Sequence, residues 1–232
     1  MKICITMVGV CRPTFERVKT NIEQNIRYFT STYPEHTFTF MVLTYRNQFF
    51  PELSQFCADR GIQAFFIAPV EEKDFIFPAI MRPNLYRLFY SMDYMLKQIP
   101  AGVYDCIVRL RLDTEVKGLE LVVPKEGVYY SIKEPSLDKC SDNIGYGSCS
   151  VMRKVWRHSN CLIQGPRSGP EDVLYYAIHQ HKCVIESIKF HFVLYQSSDR
   201  VFDGVPQWSK RSREWIHDGV NYILNDITGD KD

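Results

Sequence analysis

The stretch Tyr104-Asp105-Cys106-Ile107-Val108-Arg109-Leu110-Arg111-Leu112-Asp113-Thr114-Glu115 runs from an apolar strand through two arginines into two carboxylates separated by one residue. A buried strand ending in paired acids carries two oxygen ligands to the rim of a sheet, where open α/β sheets bind their ligands. Hard cations such as Mn²⁺ or Mg²⁺ take carboxylate oxygens and share their remaining positions with water and substrate phosphates. Asp113 and Glu115 are therefore candidates for a metal-bridged phosphate site. The same triplet also suits a strand-ending turn, with Asp113 bonded to backbone amides and Glu115 in solvent.

The elements that must position these acids follow from periodicity. Lys2 to Val10 is nearly continuously apolar and reads as a buried parallel strand. Val18, Ile22, Ile26 and Phe29 recur at helical spacing after it. Strand patterns over Thr37 to Thr44 and Ala64 to Ile67 bracket a helix from about Phe50 to Arg60, and a further helix runs from Asn84 to about Lys97. Strands alternating with helices predict an α/β fold with a mostly parallel central sheet and right-handed crossovers. Gly127 to Ile132 and Cys183 to Phe192 read as later strands, and Val151 to Asn160 as a helix. The Pro-containing, charged segment from Pro69 to Pro83 reads as a long loop over the ligand face. Residues 206–232 read as a C-terminal helix and frayed tail, packed on the domain or touching a membrane surface through Trp and Arg.

With 232 residues, 45% of them hydrophobic and 24% charged, the chain fits one domain with a substantial core. The 28 basic and 27 acidic side chains leave a net charge of +1, so no global field favours nucleic acid and any anion must be held locally. The eight cysteines are scattered and form no Cys-x-x-Cys pair, which argues against a zinc ribbon and for reduced thiols in a reducing compartment. That compartment is taken as the cytoplasm, or the host cytoplasm if the protein is viral. The N-terminal apolar run is too short for a signal peptide or a membrane span.

Other candidate ligand contacts stand after strands. Gly9 and Arg12 follow the first strand and Arg46 the second, and an arginine there can grip a phosphate with two parallel hydrogen bonds. Asp142 to Ser148 reads as a polar loop in which Gly145 and Gly147 allow backbone to approach a ligand closely, or as a plain turn between strands. Glu171 and Asp172 open an apolar helical run, where acids also serve as ordinary helix-start chemistry.

From Gly9 to His191 this ordered pattern resembles the GT-A fold glycosyltransferases that use nucleotide-sugar donors, particularly small capsule-type and large-virus members. Asn84-Leu85-Tyr86-Arg87-Leu88-Phe89-Tyr90-Ser91, followed by Tyr104 to Asp113, is similar to the helix and strand that lead into the family's Asp-x-Asp metal motif. Here that motif reads Asp-Thr-Glu. The resemblance implies a single GT-A-like, Rossmann-like domain over 1–232 that binds Mn²⁺ or Mg²⁺ through Asp113, Glu115 and His191. It implies a UDP-, GDP- or dTDP-sugar donor near Gly9, Arg12, Arg46, Arg109, Asp113, Gly145 and Gly147, and a glycan acceptor taking a hexosyl or deoxyhexosyl group. Asp172 would be the catalytic base, with Asp142 and Glu171 as further candidates. Arg12 or Arg109 would add a fixed cation for the departing diphosphate, although Arg109 and Arg111 could instead pair structurally within the sheet. The alternatives are a nucleotidyltransferase, for which Gly9-Val10-Cys11-Arg12-Pro13 is a poor phosphate loop, and a non-catalytic nucleotide- or carbohydrate-binding module.

Overall fold

β1 (Lys2–Val8) is buried from Ile3 onward, as a strand covered on both faces must be. It lies inside a seven-stranded sheet, in a computed structural model that describes residues 1–11, 14–46, 48–67, 83–134, 139–162, 169–197, 200–204, 214–217 and 220–223. α1 (Phe15–Thr32) follows, with the Thr14 hydroxyl accepting the Arg17 N–H at 3.2 Å as its N-cap. Then come β2 (Thr37–Tyr45), α2 (Phe50–Ala58), β3 (Gln63–Ile67) and α3 (Pro83–Gln98). The chain continues through β4 (Cys106–Arg111), β5 (Thr114–Leu119), β6 (Val128–Ser131), β7 (Lys133–Glu134), β8 (Lys139–Cys140) and β9 (Ile144–Gly147). α4 (Cys149–Val155), a 3-10 helix (His158–Leu162) and α5 (Pro170–Gln180) precede β10 (Val184–Ser187), β11 (Phe190–Ser197) and β12 (Arg200–Gly204). β13 (Glu214–His217) and β14 (Val220–Ile223) are the last described elements.

The central sheet has the order β10-β6-β9-β4-β1-β2-β3. β1 pairs in parallel with both β2 and β4, as do β2 with β3 and β6 with β10, while β9 runs antiparallel between β4 and β6. The α/β fold expected from the alternating pattern, with its mostly parallel sheet and flanking helices, is the one observed. On one face α1 and α2 pack Val18, Ile22, Phe29, Leu53 and Phe56 against the sheet. On the other, α3, α4 and α5 contribute Phe89, Met92, Met152, Val155, Leu174 and Ile178 around Trp156.

Two features of this topology place a ligand site. The chain grows from β1 outward through β2 and β3, then returns to lay β4 on the other side of β1. The order therefore reverses between β1 and β4, and the carboxyl edge at such a switch point is where open sheets bind ligands. β4 ends there at Arg111, and after Leu112 and Asp113 the chain leaves the central sheet for a second one, ordered β12-β11-β5.

The C-terminal expectation is corrected. Among the described residues of 206–232, Glu214–His217 and Val220–Ile223 are strands paired antiparallel, with His217 opposite Val220, and not a helix. In sequence terms an Asp-Gly dipeptide such as 218–219 favours a hairpin, and Trp215, Ile216, Val220, Tyr222 and Ile223 are residue types that favour strands. The remainder of that tail, with its expected membrane contact, lies outside the described residues, as does the loop expected from Pro69 to Pro83 apart from Pro83 itself, which opens α3.

The 3-10 helix is tied to α3 by one carboxylate. Asp93 Oδ2 meets His158 Nδ1 at 2.6 Å and accepts from Lys97 Nζ at 2.7 Å. Burial pushes the Asp93 carboxyl up, but the hydrogen bonds and charges of Lys97 and His158 outweigh it and hold it below its ordinary value. A carboxyl lowered in the folded state contributes stability above its unfolded pKa and loses that contribution as pH falls through the folded value. Asp93→Asn should therefore be less stable than the parent at pH 7, and the gap should shrink at about pH 3. Urea unfolding at the two pH values measures it.

Candidate functional site

Arg111 is the last residue of β4 and points its guanidinium back at the turn that follows. Nε donates to Asp113 Oδ1 at 2.9 Å and Nη2 to Asp113 Oδ2 at 2.8 Å, a two-pronged pairing of planar fork and carboxylate. Nη1 reaches Asn143 Oδ1 at 3.3 Å and stands 4.0 Å from Asp142 Oδ2. Burial works against the charge of Arg111, but Asp113, then Asp142 and Glu171, overcome it and raise its pKa above the ordinary value. The site is thus a partly enclosed cluster in which several carboxylates share one accessible guanidinium.

Backbone pairing fixes this cluster at the switch point. Arg111 N–H donates to Asn143 O at 3.2 Å, Leu112 N–H to Val8 O at 3.3 Å, and Gly9 N–H to Leu43 O at 3.1 Å. Gly9 lies against Leu112, where an added Cβ would sit 3.5 Å from the leucine side chain. Arg46, just beyond β2, is exposed and lies over the Phe50 ring at 5.0 Å. Arg12 lies outside the described residues.

α5 brings the second set of acids. Its start packs near β8, and the charges of Asp142, Glu171 and Asp172 all act on the buried Cys140 thiol, whose pKa is raised first by burial and then by them. Asp172 Oδ2 accepts the Gly169 N–H at 2.7 Å, closing the first turn of the helix. The candidate base is therefore part of a cap, with one oxygen engaged by backbone.

Beneath the cluster lies Arg109, fully buried and on the same face of β4 as Arg111. Among the described residues none of its three side-chain nitrogens has a hydrogen-bond partner, and its guanidinium lies 4.8 Å from the Trp156 ring centre. Burial lowers its pKa to about 10, against the attraction of Asp142. It is too enclosed to touch a donor directly, so the expectation of Arg109 as a donor contact is corrected to a buried charge below the site.

Two further expectations change. Asp142 to Ser148 is not a loop: Ile144–Gly147 is β9, buried within the central sheet. A Cβ on Gly145 would stand 1.9 Å from Tyr129 Oη, and one on Gly147 3.1 Å from Val128 O. These glycines make room for neighbouring protein, not for a ligand. Tyr129 Oη in turn accepts from Trp156 Nε1 at 3.2 Å.

The residues expected to hold a metal do not fit one as they stand. Both Asp113 oxygens are taken by Arg111. Glu115 faces α1, whose Gln24 amide, turned with its nitrogen inward, donates to the two oxygens at 2.8 and 2.9 Å, while Lys117 Nζ, two residues along β5, meets Oε1. In the β5–β11 pairing His191 stands opposite Gly118, whereas Glu115 faces Val193. Among the described residues no three His, Cys, Asp or Glu side chains gather into a group able to hold an ion.

The sequence leaves Arg111, like Arg109, as a residue that could pair structurally within the sheet, and it does not single out Asn143 or Asn25. The signal for Asn25 was present: Asn21 and Asn25 interrupt the apolar face of α1 one turn apart, and both are fully buried. The Asn25 amide donates to Thr114 O at 2.8 Å and accepts from Val116 N–H at 2.8 Å. No signal short of the fold marked Arg111 over Arg109.

No protein-family model and no curated protein sequence matches the chain. Among solved structures it is similar to a galactosyltransferase, LgtC, in complex with donor and acceptor sugar analogs. The two are 13% identical over 81% of this chain and 73% of that one, with a TM-score of 0.47. A likeness at that level bears on neither activity nor site residues. No helix among the described residues is long and apolar enough to cross a membrane.

Gly145→Ala should lower stability by about 1–3 kcal/mol, the usual range for forcing atoms into a packed core. Chemical denaturation reads this directly, and donor binding per folded molecule should be unchanged if the glycine serves packing alone.

Proposed function

We propose that the chain is a glycosyltransferase of GT-A type, moving a sugar from a nucleoside-diphosphate sugar to a hydroxyl of a glycan acceptor. The observation that carries this reading is the placement of Arg111, Asp113, Asp142 and Asn143 at the carboxyl edge of the sheet, at the switch between β1 and β4. The order of motifs from Gly9 to His191 supports it independently.

In this reading Arg111 is the fixed cation for the donor diphosphate, because a guanidinium fork suits phosphate as well as carboxylate. Its charge would offset the negative charge that builds on the departing diphosphate. Asp172 takes the acceptor hydroxyl proton if displacement is direct. Asp142 is the second candidate for that role. The Mn²⁺ or Mg²⁺ expected from the sequence would have to displace Arg111 from Asp113.

A second reading, a binding module without turnover, is favoured by the capping duty of Asp172 and the pairing of Asp113. One experiment separates the two. Thermal shift with UDP-glucose, GDP-mannose and dTDP-glucose, with and without Mn²⁺, should reveal a donor that stabilises the native state. Release of nucleoside diphosphate from that donor then marks an enzyme, and its absence a binding module. Asp172→Asn, which can still accept the Gly169 N–H, should keep donor binding and lose about 100-fold or more in transfer. Full activity in that variant would remove Asp172 as the base.

A further inference from the structure

We propose that Asn25 is a positioning residue for Asp113-Thr114-Glu115, so that α1 sets where the two acids stand. Asn25 grips the backbone on both sides of Glu115, at Thr114 O and Val116 N–H. In a strand these two groups point to the same edge, two residues apart. β11 occupies one edge of β5, pairing Leu194 with Thr114 and Phe192 with Val116, and Asn25 satisfies the other edge in place of a neighbouring strand. The adjacent Gln24 holds the Glu115 carboxylate itself. Two consecutive residues of one helix thus fix both the main chain and the side chain of the triplet.

Stability alone does not account for this arrangement. The buried face of α1 carries Val18, Ile22 and Phe29, and Asn21 on that face has no hydrogen-bond partner for either amide atom among the described residues. The buried Thr114 hydroxyl has no partner among the described residues either. A polar, partly unsatisfied patch in an otherwise apolar helix face breaks the local rule for a core, and such breaks collect at functional sites. The opposite end of β5 offers a built-in comparison. There Tyr28 Oη, also on α1, accepts the Leu119 N–H at 2.7 Å, far along the strand from the acids.

The proposal rests on the glycosyltransferase reading only for its kinetic arm. Asn25→Ala and Asn25→Asp are compared with Tyr28→Phe, which loosens β5 away from the triplet. Side-chain carboxyl ¹³C signals of Asp113 and Glu115 should move in Asn25→Ala and stay in place in Tyr28→Phe. Asn25→Asp, able to accept from Val116 but not to donate to Thr114 O, should fall between and serves alone if the alanine variant does not fold. With whichever of UDP-glucose, GDP-mannose or dTDP-glucose the parent hydrolyses, Asn25→Ala should lower kcat by about tenfold or more with KM changed far less. Unmoved carboxyl signals in Asn25→Ala, or equal movement in Tyr28→Phe, would overturn the proposal. A parent that turns over none of the three donors defeats the enzyme reading, and the carboxyl signals then decide the role of Asn25 by themselves.

Discussion

The fork between Arg111 and Asp113 is the interaction on which the rest of the site depends. It joins two residues separated only by Leu112, across the turn that follows β4. That turn is where β4 stops and β5 departs for another sheet. The same guanidinium reaches Asn143 at the entry to β9, tying the triplet to the antiparallel strand beside it. A charge-assisted pair this enclosed is costly to break from one side, because the partner left behind stays buried and uncompensated. The ion pair thus adds to the backbone hydrogen bonds of Arg111 and Leu112 in holding the strand end and the turn together.

The acids are gripped from two directions. Arg111 holds Asp113 on the α3, α4 and α5 side, while Asn25 and Gln24 hold the following residues from α1. Strand parity alone would set Asp113 and Glu115, two residues apart, on one face; the turn after Arg111 and the passage of β5 into the second sheet part them. A carboxylate pair that looks like a single chelate in the sequence is in this structure divided between two layers.

Much of the framework was legible because it obeys simple periods. The apolar runs that fill β1 and open β4 read as strands covered on both faces, and Val18, Ile22 and Phe29 mark the buried side of α1. The errors arose where one residue type serves two physical ends. Gly145 and Gly147 read as a flexible loop, yet their lack of a side chain accommodates Tyr129 and the Val128 carbonyl inside a sheet. Residues 206–232 read as a helix, while the dipeptide Asp218-Gly219 is a sequence signal for a hairpin. Arg109 and Arg111 are chemically identical and two residues apart, and only depth within the fold separates a contact residue from a buried one.

That difference in depth matters once the solvent is considered. Arg111 retains some access to water, so dissolved ions can gather near it and weaken its hold on an anion. Arg109 is sealed, and with a pKa of about 10 it stays charged at neutral pH. Counterions cannot approach it, so its field is built into the molecule as permanently as the dipole of a helix. The carboxylates above it stand in a positive potential that changes little with ionic strength, whether the surroundings are dilute buffer or a crowded, salty cell.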